Sequence, residues 1–304
     1  MAEESAIMVE GPWTHRTVSA AGTRFHIAEA GTGPLVLLLH GFPQFWWSWH
    51  HQLPALAEAG FRAVAMDLRG YGGSDKPPRG YDPITLASDA AGLVRALGEA
   101  DATVVGHATG GLLGWTMASY FPAVVRRLAV LSTPHPARLR TALLAGTQGR
   151  ATRHMIGYQL PMLPERRLRA HEAAFVGRML RRWSRPGWPD PVTEQLCREA
   201  MQLPKVAHCA LEPYRWLIRS QARPDGHRYM RRMRRPIRMP VLHLHGSLDS
   251  FVPPAAARGS GRYVDSSYQW RLIQGAGHFP HQERPERVGS LLTNWLRDTD
   301  EWDV

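Results

Sequence analysis

Short apolar runs alternate with helical periodicities over the first third of the chain. Residues 23–30 and 35–39 read as strands. The second, Leu35-Val36-Leu37-Leu38-Leu39, is apolar throughout, as a strand buried on both faces must be. Residues 62–67, 103–105 and 127–132 repeat that type. Between them, residues 46–57, 83–97 and 111–120 carry helical spacing, the second opening on a proline. Strands alternating with helices of about 10–15 residues predict right-handed crossovers and a mostly parallel sheet. From 137 to 239 the strands stop, and the chain becomes helical, arginine-rich and broken by proline. Strands resume at 241–244 and 269–273, and an amphipathic helix at 284–297 closes the pattern. The expected architecture is an α/β core, residues 1–136 and 240–304, with helices on both faces of the sheet and an all-helical cap inserted at 137–239. No internal repeat or low-complexity tract interrupts it.

Charge sharpens the division. The net charge is +11, yet residues 137–239 hold 21 arginines and one lysine against seven acidic residues, so the flanks are slightly acidic. No apolar run reaches the roughly 18 residues a membrane span needs. The N-terminal residues lack the basic-then-apolar pattern of a secretory signal. Two cysteines, Cys197 and Cys209, give no disulfide framework. Cytoplasmic residence is the expectation.

The chemistry concentrates at strand ends. Gly106-His107-Ala108-Thr109-Gly110-Gly111 sits at a strand-to-helix junction and has the form Gly-x-nucleophile-x-Gly. Flanking glycines permit the sharp turn, and the backbone N–H after the central residue, here Thr109, can face an oxyanion. The central residue is Ala108, which offers no nucleophile. His40-Gly41-Phe42-Pro43 follows the apolar strand, where a second oxyanion N–H is expected from Phe42. Asp249 lies just beyond strand 241–244, and His278 follows the last strand. Each feature alone is ambiguous. Their shared placement and the order elbow, acid, histidine point to an α/β-hydrolase site.

The segment from His40 to Trp49, with Asp67-Leu68-Arg69-Gly70-Tyr71-Gly72-Gly73-Ser74, Gly106-His107 and Ser132-Thr133-Pro134-His135-Pro136, resembles the epoxide hydrolases. In detail it is most similar to the epoxide hydrolase E type of actinobacteria. The resemblance implies a two-step mechanism: an elbow carboxylate opens the epoxide, cap tyrosines donate to the departing oxygen, and a His–Asp pair activates water. By position the pair is His278 with Asp249. Tyr214 matches one tyrosine. The other falls within residues 154–161, where His154 occupies its place and Tyr158 stands four residues later. His40, Trp46, Trp47 and His107 are expected at the substrate pocket, with no metal and no cofactor. The ligand implied is a small apolar or amphipathic epoxide.

Ala108 departs from this pattern, since the family requires aspartate there. The Thr109 side chain should point away from the residue before it, so it is not a substitute. Three accounts stay open: an aspartate replaced to trap a ligand, a native binding protein on a hydrolase scaffold, or a native enzyme in which His278 directs water at the epoxide. No serine at the elbow argues against an esterase. A haloalkane dehalogenase would need the same aspartate.

Residues 165–185 read as one helix with Leu168, Phe175, Val176, Met179, Leu180 and Trp183 near one face and arginines around the rest. Peripheral contact with an anionic membrane is one use of such a helix; roofing the substrate cleft is the favoured one. The cluster Arg231, Arg232, Arg234, Arg235 and Arg238 reads as a solvated hinge ahead of a guide for acidic substrates. Nucleic acid is not expected, because no recognition motif accompanies the charge. His243 and His245 share a strand face but lack a third metal ligand, so packing is the preferred reading. Oligomeric state is left undetermined.

Overall fold

The computed structural model describes residues 4–144 and 155–298. Eight strands form one sheet in the order β1-β2-β4-β3-β5-β6-β7-β8. They are β1 (Thr14–Ala20), β2 (Thr23–Ala30), β3 (Leu35–Leu39), β4 (Arg62–Met66), β5 (Ala102–His107), β6 (Val125–Leu131), β7 (Val241–Gly246) and β8 (Tyr268–Ile273). β1–β2 and β2–β4 pair antiparallel; every later pair is parallel. β3, β5 and β7 are buried at every residue, as their apolar runs require. β1 escaped the sequence pattern: it is an edge strand on which only Val18 and Ala20 are buried, so polar residues fill it.

The core helices are α1 (Gln52–Glu58), α2 (Pro83–Ala96), α3 (Thr109–Tyr120), α9 (Pro254–Ala257), α10 (Pro280–Glu283) and α11 (Pro285–Arg297). Between β6 and β7 lie α4 (Pro136–Leu144), α5 (Leu163–Trp183), α6 (Pro191–Gln202), α7 (Val206–Arg219) and α8 (Pro224–Met233). The expected helix 46–57 divides into a 3-10 turn, Trp46–Trp49, and α1. The turn is set from outside, because the Asp67 carboxylate accepts from the Trp46 N–H at 2.8 Å. The expected single helix 165–185 is broken: His171, Glu172 and Ala173 adopt left-handed φ of 51–55°. Its apolar face is nonetheless turned inward, with Leu168, Val176, Met179, Leu180 and Trp183 buried.

The loop after β4 is pinned by an ion pair. Arg69 donates through Nε and Nη2 to the two carboxylate oxygens of Asp89 on α2, at 2.6 and 2.7 Å. Burial pushes the Asp89 pKa up against the pull of the guanidinium, so the carboxylate depends on its partner. Removing one member of such a pair strands the other in a dry setting. Asp89→Ala should lower unfolding free energy by about 3 kcal/mol in denaturant titration; a loss under about 1 kcal/mol would show the pair to be incidental.

Candidate active site

The site is built on the turn between β5 and α3. Ala108 sits there at φ 48°, ψ −112°, a backbone region that L-residues rarely occupy. The surroundings impose it. The Ala108 N–H donates to Leu131 O at 3.1 Å on neighbouring β6, and its carbonyl accepts from Thr133 Oγ1 at 2.9 Å and from the Leu112 N–H at 3.0 Å. Glycine is required beside it, since a Cβ on Gly106 would stand 2.3 Å from Gly110 O. A Cβ on Gly41 would stand 2.6 Å from the Ala108 Cβ. The loop after β3 therefore runs directly against the elbow. Thr109 opens α3, so its N–H has no helical partner.

His278 and Asp249 meet as their positions after β8 and β7 imply. Asp249 Oδ2 lies 2.9 Å from His278 Nδ1, which leaves Nε2 as the ring's unpartnered nitrogen among the described residues. Oδ1 accepts from the Phe251 and Val252 N–H groups at 2.9 and 2.8 Å. Burial alone would raise the Asp249 pKa, but the charge and hydrogen bonds of His278 and His245 outweigh it and hold the acid below the usual carboxylate range. His245 is a partner that sequence reasoning assigned to packing. Its Nε2 lies 3.3 Å from Asp249 Oδ2 and 2.8 Å from Val252 O. His243 instead meets the Tyr268 hydroxyl at 3.0 Å.

Two aromatic residues of the helical insertion face the loop after β3. The Tyr214 ring lies 5.5 Å from that of Phe42 and 5.6 Å from that of Tyr158; Phe42 and Tyr158 are 6.3 Å apart. Burial raises the Tyr214 pKa to about 12, with a hydrogen bond from the Thr109 side chain pulling the other way. Burial likewise pushes Tyr158 upward. Both phenols are protonated at neutral pH and able to donate. His154 lies outside the described residues.

Three expected pocket residues have other work. His40 is buried with Nδ1 3.2 Å from Gly41 O and Nε2 accepting from the Leu68 N–H at 3.1 Å. Both ring nitrogens therefore hold backbone, and His40 fastens the loop. Trp46 is fully buried, donates to Ile7 O at 3.0 Å, and packs its ring edge-on against Trp13, His15 and Phe45. Trp47 stacks on His50 with ring centroids 4.1 Å apart. The indoles are occupied by packing, which the Trp-rich pattern could not distinguish from pocket lining. His107 stays close to the site: its Nε2 lies 2.8 Å from His278 O. Burial first, then the neighbouring His278, drives its pKa well below that of a free imidazole.

Glu283 went unnoticed in the sequence. Buried, it accepts from Gly277 N–H at 2.8 Å and Phe279 N–H at 2.9 Å, bracketing His278, and from Arg185 N–H of the insertion at 2.8 Å. Trp183 completes the hold, its carbonyl accepting from the His278 N–H at 2.8 Å. Two of its donors lie within six residues, and the third, the Arg185 N–H, is brought to it by the fold.

A family model described as alpha/beta hydrolase fold matches residues 34–285. The chain is 31 % identical over 290 residues to Epoxide hydrolase 3 of Xenopus tropicalis, covering 91 % of this chain and 76 % of that protein. It is 30 % identical over 318 residues to Epoxide hydrolase A of Mycobacterium tuberculosis, covering 94 % and 98 %. The chain belongs to the epoxide hydrolase family of α/β-hydrolases. A solved structure of an epoxide hydrolase from an endophytic Streptomyces superposes with a TM-score of 0.81 at 30 % identity, covering 95 % of this chain and 96 % of that one. The eight-stranded, mostly parallel sheet is thus the α/β-hydrolase fold. In this family member, the elbow geometry persists around a residue that carries only a methyl group.

Two outcomes follow from this geometry. Ala108→Gly removes the Cβ from a strained conformation and should raise stability by about 1 kcal/mol in denaturant unfolding; a destabilised variant would mean that the backbone is not strained there. Because the Asp249 pKa is depressed on folding, its stabilisation is complete above the unfolded value near 3.9 and is lost as pH falls through the folded value. The gap in melting temperature between the parent chain and Asp249→Asn should therefore be flat from about pH 5 to 7 and narrow below about pH 4. A gap that widens on acidification would contradict the depressed value.

Proposed function

We propose that this chain holds an organic epoxide between the elbow and a cap formed by the helical insertion, and that residue 108 alone closes the family's covalent route. What carries the reading is the survival of the His278–Asp249 pair, at 2.9 Å with the imidazole's Nε2 unpartnered, beside an elbow that keeps its strained backbone. A scaffold drifting toward other use has no need of that pair. Tyr214, protonated and buried, is the acid for the departing oxygen, with Tyr158 as the second donor. The N–H groups of Phe42 and Thr109 form the oxyanion site.

Turnover in the chain as it stands runs through water. The water oxygen attacks an epoxide carbon while His278 Nε2 takes its proton. The carbon–oxygen bond opens, and the alkoxide takes the Tyr214 proton, giving a diol. Loss of the nucleophile in comparable hydrolases lowers turnover on the order of 10⁶-fold, so this route is slow. The alternative is a binding protein without turnover, which the methyl at residue 108 favours. Cys197 and Cys209, buried and unbridged, support cytoplasmic residence within the same reading.

Diol formation from aryl and fatty-acid epoxides separates the readings. Ala108→Asp should restore turnover, and the residual activity of the parent chain should vanish with His278→Ala. Binding without diol from either the parent or the Ala108→Asp variant would assign the scaffold to ligand binding.

A further inference from the structure

We propose that the helical insertion docks on an anionic lipid surface through residues 156–163 and the first turn of α5. Seven large apolar side chains are exposed among the described residues, and four of them lie in this one stretch: Ile156 (67 % exposed), Leu160 (50 %), Met162 (65 %) and Leu163 (61 %). A fifth, Ile218 on α7, flanks it. Apolar side chains scattered singly over a surface need no explanation, whereas a concentration of this kind marks a contact surface.

The stretch is held in place. Buried Arg215 donates to Tyr158 O at 2.8 Å and Leu160 O at 3.1 Å, and pairs with Glu165 and Glu212 at 2.8 and 2.9 Å. Met162 sits at φ 60°, a strained value for a side chain that points into solvent. The same segment carries Tyr158 inward to Tyr214, so its outer face is fixed by its inner one.

Charge selects the occupant. Leu163, Arg166 and Arg167 fall at i, i+3 and i+4 on one helix face, and Arg166, Arg167 and Arg169 are exposed. Glu165, the only acid among residues 155–169, is turned to Arg215. Among residues 155–169 every exposed side chain is thus apolar or positively charged, which is the composition of an interfacial anchor for anionic lipid. A second copy would oppose arginine to arginine. A nucleic-acid backbone would leave the four apolar side chains uncovered. Ile156 and Ile218 also border an apolar cavity of about 160 Å³ whose wall includes Leu112, one turn along α3 from Thr109. Docking would set that mouth against the bilayer, where apolar epoxides dissolve. The proposal stands whether or not residue 108 permits turnover.

Flotation of the full chain with phosphatidylcholine vesicles, with and without about a third phosphatidylglycerol, tests it. Binding is expected only to the anionic vesicles, weakening as salt rises. Arg166→Gln with Arg167→Gln should weaken binding roughly 30-fold. Leu160→Asp with Met162→Asp should weaken it at least roughly tenfold. Leu160→Gln with Met162→Gln, which adds no charge, should act in the same direction. Melting temperatures of all three should match the parent, because the replaced side chains are exposed. No binding to anionic vesicles would overturn the proposal. So would binding indifferent to both apolar double variants, or a dimer in sedimentation that those variants dissolve.

Discussion

The strained turn at Ala108 is the constraint on which the rest of the site depends. Its φ of 48° is imposed by β5 and β6 on one side and α3 on the other, through bonds to Leu131 O and from Thr133 and Leu112. That turn aims the central side chain past the strand ends and frees the first N–H of α3. It also brings the Gly41 loop into van der Waals contact with the elbow. Every other element of the site is placed relative to it. The fold holds a difficult backbone conformation for the sake of one side chain, and in this chain that side chain has no functional atoms.

What surrounds the turn is a set of anchors for His278. Asp249 fixes the ring through Nδ1, and His245 shares the acid from the strand below. Glu283 and the Trp183 carbonyl fix the backbone on either side. Two of these holds reach from the insertion, through Arg185 N–H and Trp183 O. Core and insertion are therefore joined at the histidine itself. The two tyrosines approach from the same side, and their raised pKa values follow from the burial that this closure produces.

Much of this was legible in the chain. The continuous apolar run of β3 and the glycines around residue 108 are local signals with local causes. So is the order elbow, Asp249, His278, and with it the insertion between β6 and β7. The parts that were not legible depend on what the fold brings together. β1 hides because an exposed edge needs no apolar alternation. The break at His171–Ala173 has no glycine or proline to announce it. His40 and Trp46 carry the residue types of a pocket but spend their polar atoms on backbone, a distinction that exists only in three dimensions. Glu283 and His245 stand only a few residues from the groups they hold, but what they hold is settled by how the loops after β8 and β7 fold.

On the proposed function, the machinery around residue 108 lacks only its nucleophile. The most direct test is the intact mass of the Ala108→Asp chain, also carrying His278→Gln to stall ester hydrolysis, after incubation with an aryl epoxide. One covalent adduct per chain is expected in that variant, and none in the parent or in His278→Gln alone. An adduct on the parent chain would mean that another side chain is the nucleophile. Failure of the double variant to form an adduct while it still binds the epoxide would mean that the site has lost more than one residue.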